Sequence, residues 1–143
     1  MSQSDTIELF CQQTKGCKTK YFDYSYDTNT DILYKSYVGE IEYTDIANSW
    51  DYAIENNSIP SMVKGFIVDY RNASFKMQRM EHQAIAKYYK DHLDIFGNKR
   101  IAVITATPKD TVIPILVETL DDGYMSKPFC TEEAALAWVL RRL

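Results

Sequence analysis

GFIVDY, at residues 65–70, decides the fold class of this chain. A short and nearly continuous apolar run of this kind is typical of a strand that is buried on both faces, as in a parallel sheet. A second run, IAVI at residues 101–104, has the same character, and the segment between the two contains apolar residues at helical spacing. Two buried strands joined by a helix predict a βαβ unit and therefore an α/β fold.

Upstream of these strands the apolar pattern alternates. Residues 21–26 (YFDYSY) and residues 32–38 both show a period of two, and the polar cluster DTNTD at residues 27–31 separates them. Two alternating runs around a polar turn predict an antiparallel hairpin. A helical pattern over residues 44–56 follows the hairpin and leads to the first buried strand.

Downstream, the pattern predicts a long helix over residues 76–93, a helix capped by Asp110 or Thr111, and a last helix capped by Thr131. A short extended piece at residues 125–128 precedes the last helix. We therefore expect an α/β fold with a mixed four- to five-stranded sheet, formed by an N-terminal antiparallel hairpin and then parallel βαβ units, and about four helices. Residues 20–143 are predicted to form this single domain, and residues 1–19 a polar N-terminal arm.

Composition and charge exclude several classes of function. The net charge is −4 and the basic residues are scattered, whereas a nucleic-acid binder usually carries a basic stripe. No apolar run approaches the ~20 residues of a membrane span, and the N-terminus does not resemble a secretory signal. Cys11, Cys17 and Cys130 have neither disulfide nor zinc spacing. These features predict a cytoplasmic protein with no transmembrane segment, no nucleic-acid partner, and neither metal nor cofactor.

Polar residues follow both buried strands. Asp69 and Arg71 lie at the end of the first strand, and Thr105, Thr107 and Lys109 follow the second. Ligands of open α/β sheets bind at the carboxyl ends of the strands, so these residues could together hold a small anion. The alternative, which we favour, is that Asp69 accepts backbone N–H groups from the loop that follows it.

Catalytic motifs are missing from the sequence. It contains no glycine-rich phosphate loop, no nucleophile elbow and no paired-histidine metal helix, so we expect no enzyme activity. The hairpin is rich in tyrosine, which indicates either ordinary strand propensity or a groove or interface. If the hairpin forms the edge of the sheet, it is also a plausible dimer surface.

Three motifs in a fixed order resemble one known family. They are FCTEEAALAW at residues 129–138, KRIAVI at residues 99–104, and the strand end Val68-Asp69. Together they resemble the SpoIIAA-like branch of the STAS fold, which is named after an anti-sigma-factor antagonist. The resemblance covers roughly residues 20–143.

The resemblance implies a non-catalytic regulatory module that docks onto protein partners. The phosphorylatable serine that the antagonist uses as its switch has no counterpart here, because the matching positions read MQRM at residues 77–80 and Ser74 lies earlier. A partner surface is expected around Arg71, Asn72, Ser74 and Phe75. The alternative is a carrier of a small molecule or lipid, held in an apolar pocket between sheet and helices that includes Met77 and Met80.

Overall fold

The computed structural model describes the backbone of residues 2–9 and the whole of residues 20–141. Its strands are β1 (Ser2–Leu9), β2 (Lys20–Asp27), β3 (Ile32–Ile41), β4 (Gly65–Phe75), β5 (Arg100–Ile104) and β6 (Met125–Phe129). Its α-helices are α1 (Tyr43–Glu55), α2 (His82–Asp91), α3 (Leu93–Phe96), α4 (Pro108–Glu118) and α5 (Glu132–Leu140).

The strands form one sheet in which the spatial order equals the chain order, from β1 to β6. β2 is antiparallel to both of its neighbours, β1 and β3, and β3 to β6 are parallel. The predicted mixed sheet, a hairpin followed by parallel βαβ units, is confirmed. Residues 20–141 supply five strands. A sixth, β1, lies in the segment predicted to be a polar arm, and residues 10–19 of that arm lie outside the described residues.

Alternation along the strands sends side chains into two cores on opposite faces of the sheet. The larger core contains Phe66 and Ile101 and is covered by α1, α2 and α4. The smaller core is covered by α5 and contains Ile67, Ala102 and Ala135. Helices α1, α2 and α4, together with Phe96 of α3, therefore cover one face of the sheet, whereas, of the described helices, only α5 covers the other.

The hairpin of β2 and β3 does not form the edge of the sheet, so the condition for a dimer surface there is not met. β1 pairs with β2 along its whole length, from Lys20 to Asp27. Tyr24, Tyr26 and Tyr37 are buried in the larger core, so ordinary inward packing accounts for them. The outer edge of β2 is therefore paired with β1 rather than free.

The long helix predicted over residues 76–93 starts later and is interrupted. β4 continues to Phe75, which pairs with Ile41 of β3, and α2 starts at His82 after a 3₁₀ turn at Arg79–Glu81. The apolar spacing of this segment is helical, but Ala73 and Phe75 pack against the larger core and keep the chain extended. Tertiary packing thus overrides the local pattern.

A glycine allows α5 to lie close to the sheet. A Cβ atom on Gly65 would come 2.5 Å from Cγ1 of Val139 on α5. We expect Gly65→Ala to lower the free energy of unfolding by about 1–3 kcal/mol, because overpacking pushes α5 away from β4. Urea unfolding followed by circular dichroism measures the change. The double variant G65A/V139A removes the clashing methyl group, so it should cost less than the two single changes together, and additive costs would contradict this account.

Candidate partner-binding cleft

An open cleft of about 290 Å³ lies beside α5 on the face of the sheet that carries the smaller core. α5 packs mainly on β4, β5 and β6, so part of the face formed by β2 and β3 has no helix above it. The alternating sequence of the hairpin puts polar side chains on this face, because the apolar ones enter the larger core. The residues that line the cleft are Asp23, Tyr24, Ser25, Tyr34, Lys35, Ser36, Ile67, Asp69, Ile104 and Glu132.

Asp69 is fixed by a bulge between β3 and β4. Ser36 pairs with Asp69 but Val38 pairs with Asn72, so Tyr70 and Arg71 together face one residue of β3. The Arg71 N–H donates to Oδ1 of Asp69 at 2.9 Å, and the Arg71 guanidinium donates to both carboxylate oxygens at 2.7 to 3.1 Å. Asp69 therefore accepts a backbone N–H from the residues that follow it, as the favoured interpretation predicts.

The cleft carries more negative than positive charge. The carboxylate groups in its lining are those of Asp23, Asp69 and Glu132. The carboxylate of Asp69 forms an ion pair with the guanidinium of Arg71. The hydrogen bond to Asp69, more than the field of Glu132, raises the pKa of Arg71. Burial raises the pKa of Tyr34, and the charges of Asp27 and Glu132 raise it further. The negative charge of the cleft thus disfavours the binding of an anion and favours the binding of a cation.

Thr105 and Thr107 do not line the cleft. Thr105 directly follows the end of β5 at Ile104, and Thr107 precedes the start of α4. Their hydroxyl groups have local partners, since Thr105 bonds to Thr111 at 2.6 Å and Thr107 donates to Asp110 at 2.8 Å. Thr107 also accepts the N–H of Asp110 as the N-cap of α4, and Lys109 is exposed in the first turn. None of these three residues lines the cleft that contains Asp69.

Residues 72–75 extend β4 beyond the end of β5. Asn72 is exposed, and Ser74 is half-buried and pairs with Glu40 of β3. Phe75 is half-buried as well, with its ring 4.6 Å from that of Tyr70 and its N–H donated to Asp110. Phe75 therefore belongs mainly to the core, and only the polar members of the expected surface face solvent.

An apolar cavity between the sheet and helices α1, α2 and α4 is small. Its volume is about 20 Å³, and Tyr70, Phe75 and Val103 are among its lining residues. A cavity of this size holds about one water molecule. Met77 packs against the larger core, whereas Met80 is 72% exposed. The predicted pocket formed by the two methionines is therefore wrong for Met80, which projects into solvent because the helix starts after it.

The sequence analysis did not identify a buried lysine in strand β3 of the hairpin. Lys35 is 2% exposed and its Nζ lies 3.7 Å from the centre of the Trp50 ring. Phe22 and Tyr37 complete an aromatic enclosure, and Nζ donates to Oγ of Ser49 at 2.6 Å. Burial lowers the pKa of Lys35 well below its ordinary value, and the charge of Asp51 offsets this only in part. The signal was available, because alternation puts residue 35 on the same face as Leu33 and Tyr37.

The Asp69 carboxylate has two separable roles, and two substitutions distinguish them. Asp69→Asn keeps an acceptor for the Arg71 N–H and removes a partly exposed ion pair, so it should cost less than about 1 kcal/mol of stability. Asp69→Ala also leaves the N–H without its partner and should cost about 1 kcal/mol more. Urea unfolding of both variants measures the difference, and equal costs would show that the bulge does not depend on this hydrogen bond.

Comparisons with known proteins support the fold and no more than the fold. Neither a protein-family model nor a curated protein sequence matches this chain. A solved structure described as an uncharacterised protein of the DUF3478 family with a SpoIIAA-like fold, from Shewanella loihica PV-4, is similar to it with a TM-score of 0.53. The alignment covers 97% of this chain and 95% of that one, at 15% sequence identity. The chain has a SpoIIAA-like fold, as its sequence motifs predict.

Within residues 2–9 and 20–141, no helix has the length and apolar character needed to cross a membrane. In the same ranges, no group of three or more His, Cys, Asp or Glu side chains is placed to hold a metal ion.

Proposed function

We propose that this chain is a non-catalytic, regulatory protein-binding module of the STAS/SpoIIAA-like type. Its partner-binding surface is the cleft beside α5, and the single observation that carries the proposal is the acidic lining of that cleft. The partner presents a basic side chain, lysine or arginine, that enters between β2 and the start of α5.

The contacts in the cleft support a basic partner. Asp23 and Glu132 form no ion pair with any residue that the structure describes, so neither carboxylate is neutralised by a described cation. Tyr34 adds a hydroxyl group and part of an aromatic ring to the lining, and tyrosine is enriched at protein interfaces. The net charge of −4 also steers a basic partner towards this chain.

The polar part of the β4 extension continues this surface. Arg71 and Asn72 are exposed and adjoin Asp69 in the chain, and Ser74 is half-buried two residues further on. In this proposal they contact the partner around the bound side chain. This proposal does not use the antagonist's phosphorylatable serine, since residues 76–88 contain neither serine nor threonine and Ser74 is part of a strand rather than of a helix start.

The alternative function, a carrier of a small molecule or lipid, has less support. A cavity of about 20 Å³ is far below the ~300–1,000 Å³ of pockets that enclose a ligand of drug size. Opening it would separate α2 and α4 from the sheet and break the larger core. The cleft is larger, but its polar lining does not suit a lipid.

Photo-crosslinking tests the proposed surface. A photoreactive amino acid replaces Ser25 in the cleft, or the exposed Ile115 on α4 as a control, and the protein is irradiated in a lysate of its source organism. We expect one protein to be crosslinked from position 25 and not from position 115. The capture should be lost in a D23N/E132Q background and kept in an E118Q background, which changes a carboxylate on α4.

Two results would overturn the proposal. Capture that is equal from both positions, or that is unaffected by D23N/E132Q, would show that the cleft does not select the partner. Native mass spectrometry of gently purified protein tests the alternative, because a stoichiometric excess mass of a few hundred daltons would favour the carrier. In this proposal the module works in the cytoplasm, without metal, cofactor or nucleic acid.

A further inference from the structure

Helix α5 has an apolar surface that nothing in the described chain covers. Residues 134–140 read AALAWVL, and a helix that is apolar all round is normally buried on every side. Here only Ala135 is fully buried, although Val139 also faces the sheet. Ala134, Ala137 and Leu140 are exposed, and Leu140 is 48% exposed.

The exposed residues of α5 form one continuous stripe. At about 100° per residue, Glu133, Ala134, Ala137 and Leu140 of α5, with its C-cap residue Arg141, fall within an arc of roughly 120° that is centred on Ala137 and faces away from the sheet. Glu133 and Arg141 are exposed too. The stripe therefore has an acidic end, a flat apolar middle and a basic end.

We infer that two copies of this chain dimerise through this stripe, with their α5 helices antiparallel about a two-fold axis at Ala137. Such an axis pairs residues that are equidistant from Ala137. Glu133 of each copy then faces Arg141 of the other, Ala134 faces Leu140, and Ala137 faces its own counterpart. A two-fold interface must be self-complementary, and this stripe is complementary to itself in charge and in size.

The antiparallel orientation is set by charge and by side-chain size. A parallel pair would place Glu133 against Glu133 and Arg141 against Arg141, whereas the antiparallel pair forms two opposite-charge contacts. These contacts are exposed and contribute mainly orientation and register. The alanines allow the helix axes to approach at the short end of the usual 8–10 Å, and Leu140 fills the space above the partner's Ala134.

The dimer is expected to be weak, because a helix of nine residues provides an interface at the low end of the usual size range. Sedimentation equilibrium over a wide concentration range is therefore the appropriate measurement. Wild-type protein should show a reversible monomer–dimer equilibrium, and Ala137→Arg should abolish it. Ile115→Arg, an equally exposed change on α4, should leave it intact.

Charge reversal tests the register. Glu133→Arg and Arg141→Glu should each weaken dimerisation about tenfold, and the double variant E133R/R141E should restore it, because both contacts are then re-formed with opposite sign. The changes lie on the exposed side of α5, so circular dichroism should show all three variants folded. D23N/E132Q should not alter the dimer, which separates this test from that of the cleft.

A disulfide trap gives independent evidence. In a background with Cys11, Cys17 and Cys130 replaced by serine, Ala137→Cys should form a covalent dimer under mild oxidation, and Ile115→Cys should not. A wild-type chain that stays monomeric at every concentration would overturn the inference. A dimer that survives Ala137→Arg, or a trap equally efficient at residue 115, would also overturn it.

Discussion

Replacing Trp50 by alanine is expected to lower the free energy of unfolding by about 3–5 kcal/mol. Trp50 is 1% exposed and is the largest of the fully buried side chains among the described residues. Its ring meets Phe66 and Phe96 edge-on, at centroid distances of 5.7 and 5.1 Å. The truncation leaves a large cavity between α1 and the sheet, and the loss approaches the whole stability of a typical domain, about 5–15 kcal/mol.

The second tryptophan of the chain provides a matched control. Trp138 is half-buried on α5 and contacts Phe129 at 5.5 Å, so Trp138→Ala removes the same side chain from a site that water already reaches. Its cost should be about half that of Trp50→Ala or less. Urea unfolding followed by far-ultraviolet circular dichroism compares the two without relying on tryptophan fluorescence. Equal costs would show that the larger core does not depend on Trp50.

Replacing Lys35 by methionine is expected to stabilise the protein at neutral pH and to remove part of its pH dependence. The aromatic enclosure of Lys35 disfavours its charged form, so its pKa in the folded chain lies well below the ordinary value of 10.5. An apolar side chain of similar length fills the same space without that cost, as in other replacements of buried charges. Ser49 keeps its hydrogen bonds to Tyr37 and to the carbonyl of Ile46.

The sign of the pH effect follows from proton linkage. Between the lowered pKa of folded Lys35 and 10.5, the unfolded chain binds a proton that the folded chain does not, so stability rises with pH by about 1.4 kcal/mol per pH unit. This contribution is complete above the unfolded pKa and falls away towards lower pH. The stability advantage of Lys35→Met should therefore shrink from pH 7 to pH 9, when measured by urea unfolding.

An exposed lysine serves as the control for this experiment. Lys64 has a side chain that is 75% exposed and lies 3.9 Å from Asp31, so Lys64→Met should leave the slope of stability against pH unchanged. Parallel slopes for Lys35→Met and wild type would show that Lys35 is charged in the folded protein, with the face of Trp50 stabilising its cation.

The sheet was predictable from the sequence because its signals are local. The two apolar runs and the alternating residues of the hairpin indicate directly which of their side chains are buried. Thr131 is correctly predicted as the N-cap of α5, where its Oγ1 accepts the N–H of Ala134. The cap of α4 was placed too late, at Asp110 or Thr111. Thr107 is the cap and Pro108 opens the helix, a signal that the usual preference for proline in the first turn could have supplied.

The candidate site was harder to predict because it depends on which strand face stays uncovered. Asp69 and Arg71 were identified, since both follow a buried strand, but their partners in the cleft come from the hairpin and from α5. Asp23 and Glu132 have no local signal that separates them from solvated carboxylates. The late start of α2 likewise depends on the pairing of Phe75 with Ile41, which no local pattern reveals.

The sequential order of the strands bears on how the chain folds during its synthesis. Every strand after the first has its predecessor in the chain as a neighbour, so each one leaves the ribosome after a partner is already available. The hairpin can form first, and each βαβ unit then adds a strand to an existing edge. Pairing of this kind keeps loop closures short, which favours fast folding, and it shortens the time for which an unpaired edge is exposed to other nascent chains.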